Sequence, residues 1–277
     1  MKTLYITDLD GTLLDSNGNL SFNCITKLNK LIADGALFTV ATARTSATVI
    51  KMFERVNLNI PFILMNGVLI YDPKTNKNIS AHTIDISTAE KIIEIYKKYN
   101  YSPMLYYMRE NCVEIKYNKI HNIYQQEYVS ARDNLKNKIF TEVNGDLTAG
   151  NDENLIYMVS LDKPELLTPI KEEISSLDDI YCAFYSDNYT DCNFMECMNV
   201  KASKGTATLK IKELLGVDRI IAFGDNLNDM PMFSVADETY AVENACDELK
   251  SVSDGIVDSN DNDGVINFIF EHFYNTL

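Results

Sequence analysis

TLYITDLDGTLL, residues 3–14, runs from a stretch of apolar and β-branched residues straight into two carboxylates and a glycine. Thr3 to Thr7 reads as a strand with no polar face, the pattern of a strand covered on both sides. Asp8 and Asp10 follow two residues apart and so project to one side of an extended chain, with alpha carbons roughly 6–7 Å apart. Gly11 then allows a sharp departure.

The chain outward from this stretch alternates strand and helix. Ser21 stands as the cap of a helical pattern that turns Phe22, Ile25, Leu28, Leu31 and Ile32 inward and closes at Gly35. ALFTVA (36–41) and PFILM (61–65) read as further buried strands, with a helix marked by Val49, Met52, Phe53 and Val56 between them. The last third resumes the pattern: a helix over 204–215 closed by Gly216, a strand RIIAF (219–223), a short helix over 228–235, strands at 239–242 and 255–257, and a terminal helix over 265–273. Apolar strands separated by helices imply a parallel sheet covered on both faces.

The middle differs. Strands come there in neighbouring pairs, 103–108 with 112–117 and 181–186 with 193–198, and Ser87 with Glu90 forms a capping-box signature. Twelve of the 16 tyrosines fall between Tyr96 and Tyr189, a compositional shift that marks a separate module. The expected fold class is α/β: a Rossmann-like parallel-sheet core of residues 1–81 and 197–277, with an inserted α+β unit over residues 82–196.

Hydrophobic residues make up 46% and charged residues 23%, which excludes collagen-like and wholly disordered chains. The formal net charge of −15 repels a phosphate backbone, so nucleic acid is not expected as a partner. No stretch approaches a membrane span, and acidic residues follow Lys2 almost at once, so neither a membrane nor a signal peptide is expected. The six cysteines show no C-x-x-C pair and read as reduced thiols of a cytoplasmic protein.

Several patterns fail on inspection. Gly145 and Gly150 have phosphate-loop spacing, but Asn151 stands where a lysine is needed. Residues 258–269 resemble a calcium loop, yet Gly264 comes one place late and Ile269 replaces the closing Glu, so a solvated turn is expected. Asn78-Ile-Ser80 and Asn188-Tyr-Thr190 are sequons without a secretory route.

One constellation survives. Gly224-Asp225-Asn226-Leu227-Asn228-Asp229 puts further carboxylates at the end of a second strand. Ligands of an open parallel sheet bind outside the carboxyl ends of the strands, so both acid clusters are expected to face one crevice. Like charges packed together need a cation, and hard oxygens suit Mg²⁺. Thr42, which closes the second strand within VATAR (40–44), offers a hydroxyl to a phosphate oxygen. Lys204 brings a positive charge to a helix N-terminus, which itself favours anions.

On DLDGTLL, ATAR, MNG, KASKG and GDNLNDMPM, in that order, nearly the whole chain resembles the haloacid dehalogenase superfamily and, within it, the Cof-like phosphatases. The resemblance implies that Asp8 is a nucleophile and Asp10 an acid and base whose backbone carbonyl also binds Mg²⁺. It implies Asp8, Asp10 and Asp225 as the metal set, with Asp229 in support. Thr42, Ala43, Asn66, Lys204 and Asn228 match the phosphate and substrate positions, and the insert matches a cap that closes over the leaving group. Ala43 departs from a frequent Gly, and Glu243 from another. The activity implied is hydrolysis of small phosphomonoesters (sugar phosphates, nucleotides or pyridoxal phosphate) through an aspartyl phosphate. A phosphomutase or phosphotransferase with the same nucleophile and a receiver-like module without turnover remain alternatives.

Overall fold

The apolar run at the N-terminus forms β1, Thr3–Thr7, buried over its last four residues. The computed structural model describes residues 2–132, 136–186 and 190–276; Asn188 and Tyr189 of the second sequon lie outside them. After β1 come α1 (Phe22–Ala33), β2 (Leu37–Val40), α2 (Ser46–Met52), β3 (Phe62–Leu64), β4 (Leu69–Asp72) and β5 (Lys77–Ala81). The Ser21 hydroxyl caps α1 by accepting the Cys24 N–H, and the helix buries Cys24, Leu28 and Leu31. Phe22 is not inward as its spacing suggested but 75% exposed, because the buried stripe starts at Cys24, four residues before Leu28.

The middle of the chain holds α3 (Ile86–Lys98), β6 (Met104–Met108), β7 (Val113–Tyr117), α4 (Ile123–Ser130), β8 (Lys138–Glu142), β9 (Leu155–Asp162), α5 (Pro164–Ile174), β10 (Ile180–Ser186) and β11 (Asn193–Asn199). Their six strands form one sheet in the order β10-β11-β9-β6-β7-β8, antiparallel except for the β7–β8 pair. Helices α3 and α5 cover it through Ile92, Tyr96, Leu167 and Ile170, packed with Leu105, Met158 and Met195 of the strands. The capping box expected at Ser87 is absent. Asp85 is the N-cap of α3, without a side-chain cap bond, and Glu90 instead accepts the Ala149 N–H at 2.6 Å.

The chain then forms α6 (Lys204–Leu215), β12 (Arg219–Gly224), α7 (Met230–Phe233), β13 (Glu238–Val242), α8 (Asp247–Val252), β14 (Gly255–Val257) and α9 (Gly264–Asn275). The helix expected over 228–235 is a 3-10 turn, Leu227–Asp229, followed by the short α7. Strands β14-β13-β12-β1-β2 make an all-parallel sheet. Strand order reverses between β1 and β12, so the crevice at their carboxyl ends is the natural ligand position of such a sheet. Contacts divide the chain into Met1–Ile79 with Ser203–Leu277 and, separately, Ser80–Ala202. That division leaves β11 whole within its sheet.

Candidate active site

Because β1 and β12 pair in parallel, with Thr7 opposite Phe223, Asp8 and Asp225 emerge at neighbouring strand ends. The Asp8 N–H continues the ladder by donating to the Phe223 carbonyl at 3.0 Å. The Asp8 side chain is almost fully buried. Lys204 is the first residue of α6, whose Ser203 cap and Thr206 close a reciprocal box. Its ammonium is buried 2.8 Å from Asp8 Oδ1 and 2.6 Å from Asp229 Oδ1. Asp229 is fully buried, and its other oxygen accepts the N–H groups of Asp225 at 3.0 Å and Asn226 at 3.2 Å. It therefore ties the loop after β12 to the lysine.

Asp225 completes the group. Its Oδ1 accepts the Thr12 hydroxyl at 2.8 Å, and a β-carbon on Gly11 (φ +77°) would stand 2.6 Å from its Oδ2. Only glycine lets the chain pass this carboxylate. Oxygens of Asp8, Asp225 and Asp229 all lie within 4.8 Å of one another. Three carboxylates against one ammonium leave a formal charge of −2 in a largely buried place. Burial raises the pKa of Asp8 and Asp225, and the Asp229 charge adds to both. Burial works against the Lys204 ammonium, but Asp8 and Asp229 outweigh it and hold the group above its ordinary range. Hard oxygen donors carrying that residual charge fit one divalent cation.

Asp10 stands apart from this group. Its carboxylate is bound by Arg44, with Nε 2.8 Å from Oδ2 and Nη2 2.5 Å from Oδ1. Thr42 is buried. Its hydroxyl accepts the Arg44 N–H at 3.1 Å, which leaves its own proton for another acceptor. Ala43 is exposed. Asn66 has φ 55° in a turn where Met65 and Gly67 are also left-handed. Its Oδ1 accepts from exposed Asn228 Nδ2 at 3.3 Å. A β-carbon on Gly67 would meet the Ser203 carbonyl at 2.0 Å, so this turn packs directly on the start of α6.

Arg44, Thr12 and Asn244 were not singled out from the sequence, although Arg44 and Thr12 lie inside its motifs. Asn244 donates to the Gly11 carbonyl at 2.7 Å and accepts the Asn260 N–H at 3.0 Å. Asn260 in turn donates to the Leu14 carbonyl at 2.9 Å, and Asp261 accepts from Ser16. The stretch expected to be a solvated turn does expose Asp261 and Asn262, and through Asn260 and Asp261 it also clasps the loop after β1.

The family model of haloacid dehalogenase-like hydrolases matches residues 5–269. A 5-amino-6-(5-phospho-D-ribitylamino)uracil phosphatase of Bacillus subtilis is 25% identical, over 98% of this chain and 97% of its own length. The pyridoxal phosphate phosphatase of Escherichia coli is 23% identical over 96% of each chain. A haloacid dehalogenase-like hydrolase from Bacteroides thetaiotaomicron shares the fold, with a TM-score of 0.76, 20% identity and coverage of 99% of this chain and 100% of its own.

Proposed function

Because the chain belongs to the haloacid dehalogenase-like hydrolase family, we propose that it is a Mg²⁺-dependent phosphatase of small phosphomonoesters that works through an aspartyl phosphate on Asp8. The observation that carries this reading is the buried Lys204 held between Asp8 and Asp229, with Asp225 beside them. A lysine kept only for solubility does not pay the desolvation of complete burial. Here it sets a fixed positive charge beside a carboxylate presented at a strand end.

Asp8 attacks phosphorus, the new O–P bond forms as the ester P–O bond breaks, and Asp10 gives a proton to the departing oxygen. Water then attacks phosphorus, Asp10 takes its proton, and the bond to Asp8 breaks, releasing phosphate and restoring both carboxyl groups. Lys204 and the Thr42 hydroxyl hold phosphoryl oxygens, where positioning and electrostatics provide most of the rate. Asn66, Asn228 and the backbone at Ala43 line the substrate side. Asp229 keeps Asp225 and Lys204 in place. Asp8, Asp225 and the Asp10 carbonyl would hold Mg²⁺, which when bound supplies charge neutralisation for the carboxylate and the phosphate.

Catalysis belongs in this reading to Met1–Ile79 with Ser203–Leu277, and discrimination among substrates to Ser80–Ala202. The substrates named for the two relatives, a phosphorylated ribitylaminouracil and pyridoxal phosphate, set the first compounds to try, alongside sugar phosphates and nucleotides. The free cysteines fit a reducing cytoplasm, and no described helix is long and apolar enough to cross a membrane.

The test is phosphate release from that panel with Mg²⁺ and with excess chelator. Multiple turnovers that stop on chelation are expected. Full activity in chelator overturns the metal assignment, and phosphoryl transfer to a sugar in place of water makes the protein a mutase or transferase.

A further inference from the structure

The grip of Arg44 on Asp10 has the form of a built clamp. A guanidinium that binds both oxygens of one carboxylate fixes its plane as well as its distance, which an ammonium does not. Two donors of Arg44 do so here, at 2.8 and 2.5 Å. The Asp10 side chain is 53% exposed and the Arg44 side chain 29%. Exposed ion pairs contribute little to stability, bidentate ones somewhat more, so stability gives this pair only a modest reason to exist.

The backbone beneath the clamp is fixed from several directions. The Arg44 N–H donates to Thr42 Oγ1 at 3.1 Å, and the Arg44 carbonyl accepts the Met65 N–H at 3.0 Å. The Thr42 carbonyl accepts the Asn66 N–H at 3.0 Å. Both donors sit in the turn whose residues Met65, Asn66 and Gly67 have φ of 52°, 55° and 97°. Two consecutive non-glycine residues in the left-handed region are costly and persist where the surroundings over-determine them. The turn therefore holds the segment from which Arg44 reaches across 34 positions of sequence to Asp10.

From this geometry, and resting on the phosphatase reading above, we infer that Arg44 is the positioning residue of Asp10. It holds the acid–base carboxylate in one orientation for both proton transfers: from Asp10 to the ester oxygen as the P–O bond breaks, and from the attacking water to Asp10 as phospho-Asp8 is hydrolysed. Arg44 itself exchanges no proton. Without the clamp, a half-exposed aspartate samples its other rotamers, and a misplacement of about 1 Å costs up to roughly 10²-fold in rate.

The experiment is a double-mutant cycle of Arg44→Ala and Asp10→Asn, assayed with an alkyl phosphate and with p-nitrophenyl phosphate in Mg²⁺. Arg44→Ala is expected to lower kcat about 10- to 100-fold on the alkyl ester, with KM changed less than about threefold. In the Asp10→Asn background the same substitution should change kcat less than about threefold, since a residue acting through Asp10 has nothing left to position. The aryl leaving group needs no proton. Phospho-Asp8 should therefore accumulate in acid-quenched Arg44→Ala with p-nitrophenyl phosphate and not with the alkyl ester. Added guanidinium should restore rate to Arg44→Ala and not to the double variant. If Arg44→Ala does not fold, Arg44→Lys carries the same cycle with a smaller loss. Additive losses, or a raised KM at unchanged kcat, overturn the inference while leaving an active phosphatase. A wild type inactive on both esters overturns the phosphatase reading and this inference with it.

Discussion

Both halves of the molecule bury polar groups, and they settle them differently. In Ser80–Ala202 buried and half-buried polar side chains answer one another: Tyr96 with Ser160 at 2.6 Å, Tyr106 with Tyr128 at 2.6 Å, and the Gln125 amide donating to the Tyr101 hydroxyl at 2.7 Å. Buried Lys138 lies among the rings of Tyr106, Tyr128 and Phe140, 5.3–5.7 Å from their centres. Most of these groups are neutral and already paired, so folding alone satisfies them. At the ends of β1 and β12 three carboxylates share one lysine, and folding alone leaves charge unmatched. A scaffold settles its polar groups internally. A site keeps a deficit that a ligand resolves.

The largest test of this contrast is Asp8→Asn. Turnover should fall by roughly 10⁴-fold or more, as for the loss of other nucleophiles, while the folded protein should become more stable in chelator because a buried charge is gone. Retained turnover would remove Asp8 from its role.

Next comes Lys204→Met. It leaves Asp8 and Asp229 buried with no cation between them, and breaking a buried pair in this way costs about 3–5 kcal/mol. Denaturant unfolding in chelator measures it; a loss below about 1 kcal/mol would mean that water reaches the group.

A pH scan sharpens the comparison further. Burial, against the pull of Lys204, pushes the pKa of folded Asp8 up to about 7, whereas unfolded aspartate sits at about 4. The folded state then binds more protons at this group across that window, so the Asp8 contribution to metal-free stability should be fully present below about pH 4 and be lost as pH rises through about 7. Asp8→Asn should flatten the decline, and excess Mg²⁺ should abolish it. Parallel melting curves for wild type and Asp8→Asn would contradict the assignment.

The smallest effect belongs to the other half. Tyr96→Phe strands the Ser160 hydroxyl and should cost about 1–3 kcal/mol, whereas Tyr96→Phe with Ser160→Ala, which removes both partners, should come close to neutral. If the double variant were as unstable as the single one, that hydroxyl pair would not be the self-contained unit described above.

Much of the parallel sheet was legible because each strand announces itself locally. β1, β2 and β12 are continuous apolar runs ended by polar residues, as is β3, which pairs antiparallel with β4 in a separate sheet, and period and punctuation are properties of neighbouring positions. Four other strands were harder. β4, β5, β8 and β9 were not foreseen, and β5 and β8 have mixed exposure that gives no clean period. The short 3-10 turn before α7 passed for part of a longer helix because Leu227, Met230 and Phe233 still fall at a helical spacing.

The site divides along the same line. Asp8, Asp225, Lys204 and Thr42 stand at strand or helix ends; the paired acid clusters single out Asp8 and Asp225 from residue type and place, whereas Lys204 and Thr42 stand out only in company with them. What sequence spacing does not contain is which distant partner a side chain meets. That Arg44 grips Asp10, that Asp229 spends both oxygens on Lys204 and the loop after β12, and that Asn244 and Asn260 clasp the loop after β1 follow only from the folded chain. The physical reason is range. Backbone preference and hydrophobic period act over a few residues, whereas a hydrogen bond between positions 34 or more than 200 apart exists only once packing has closed the loop between them.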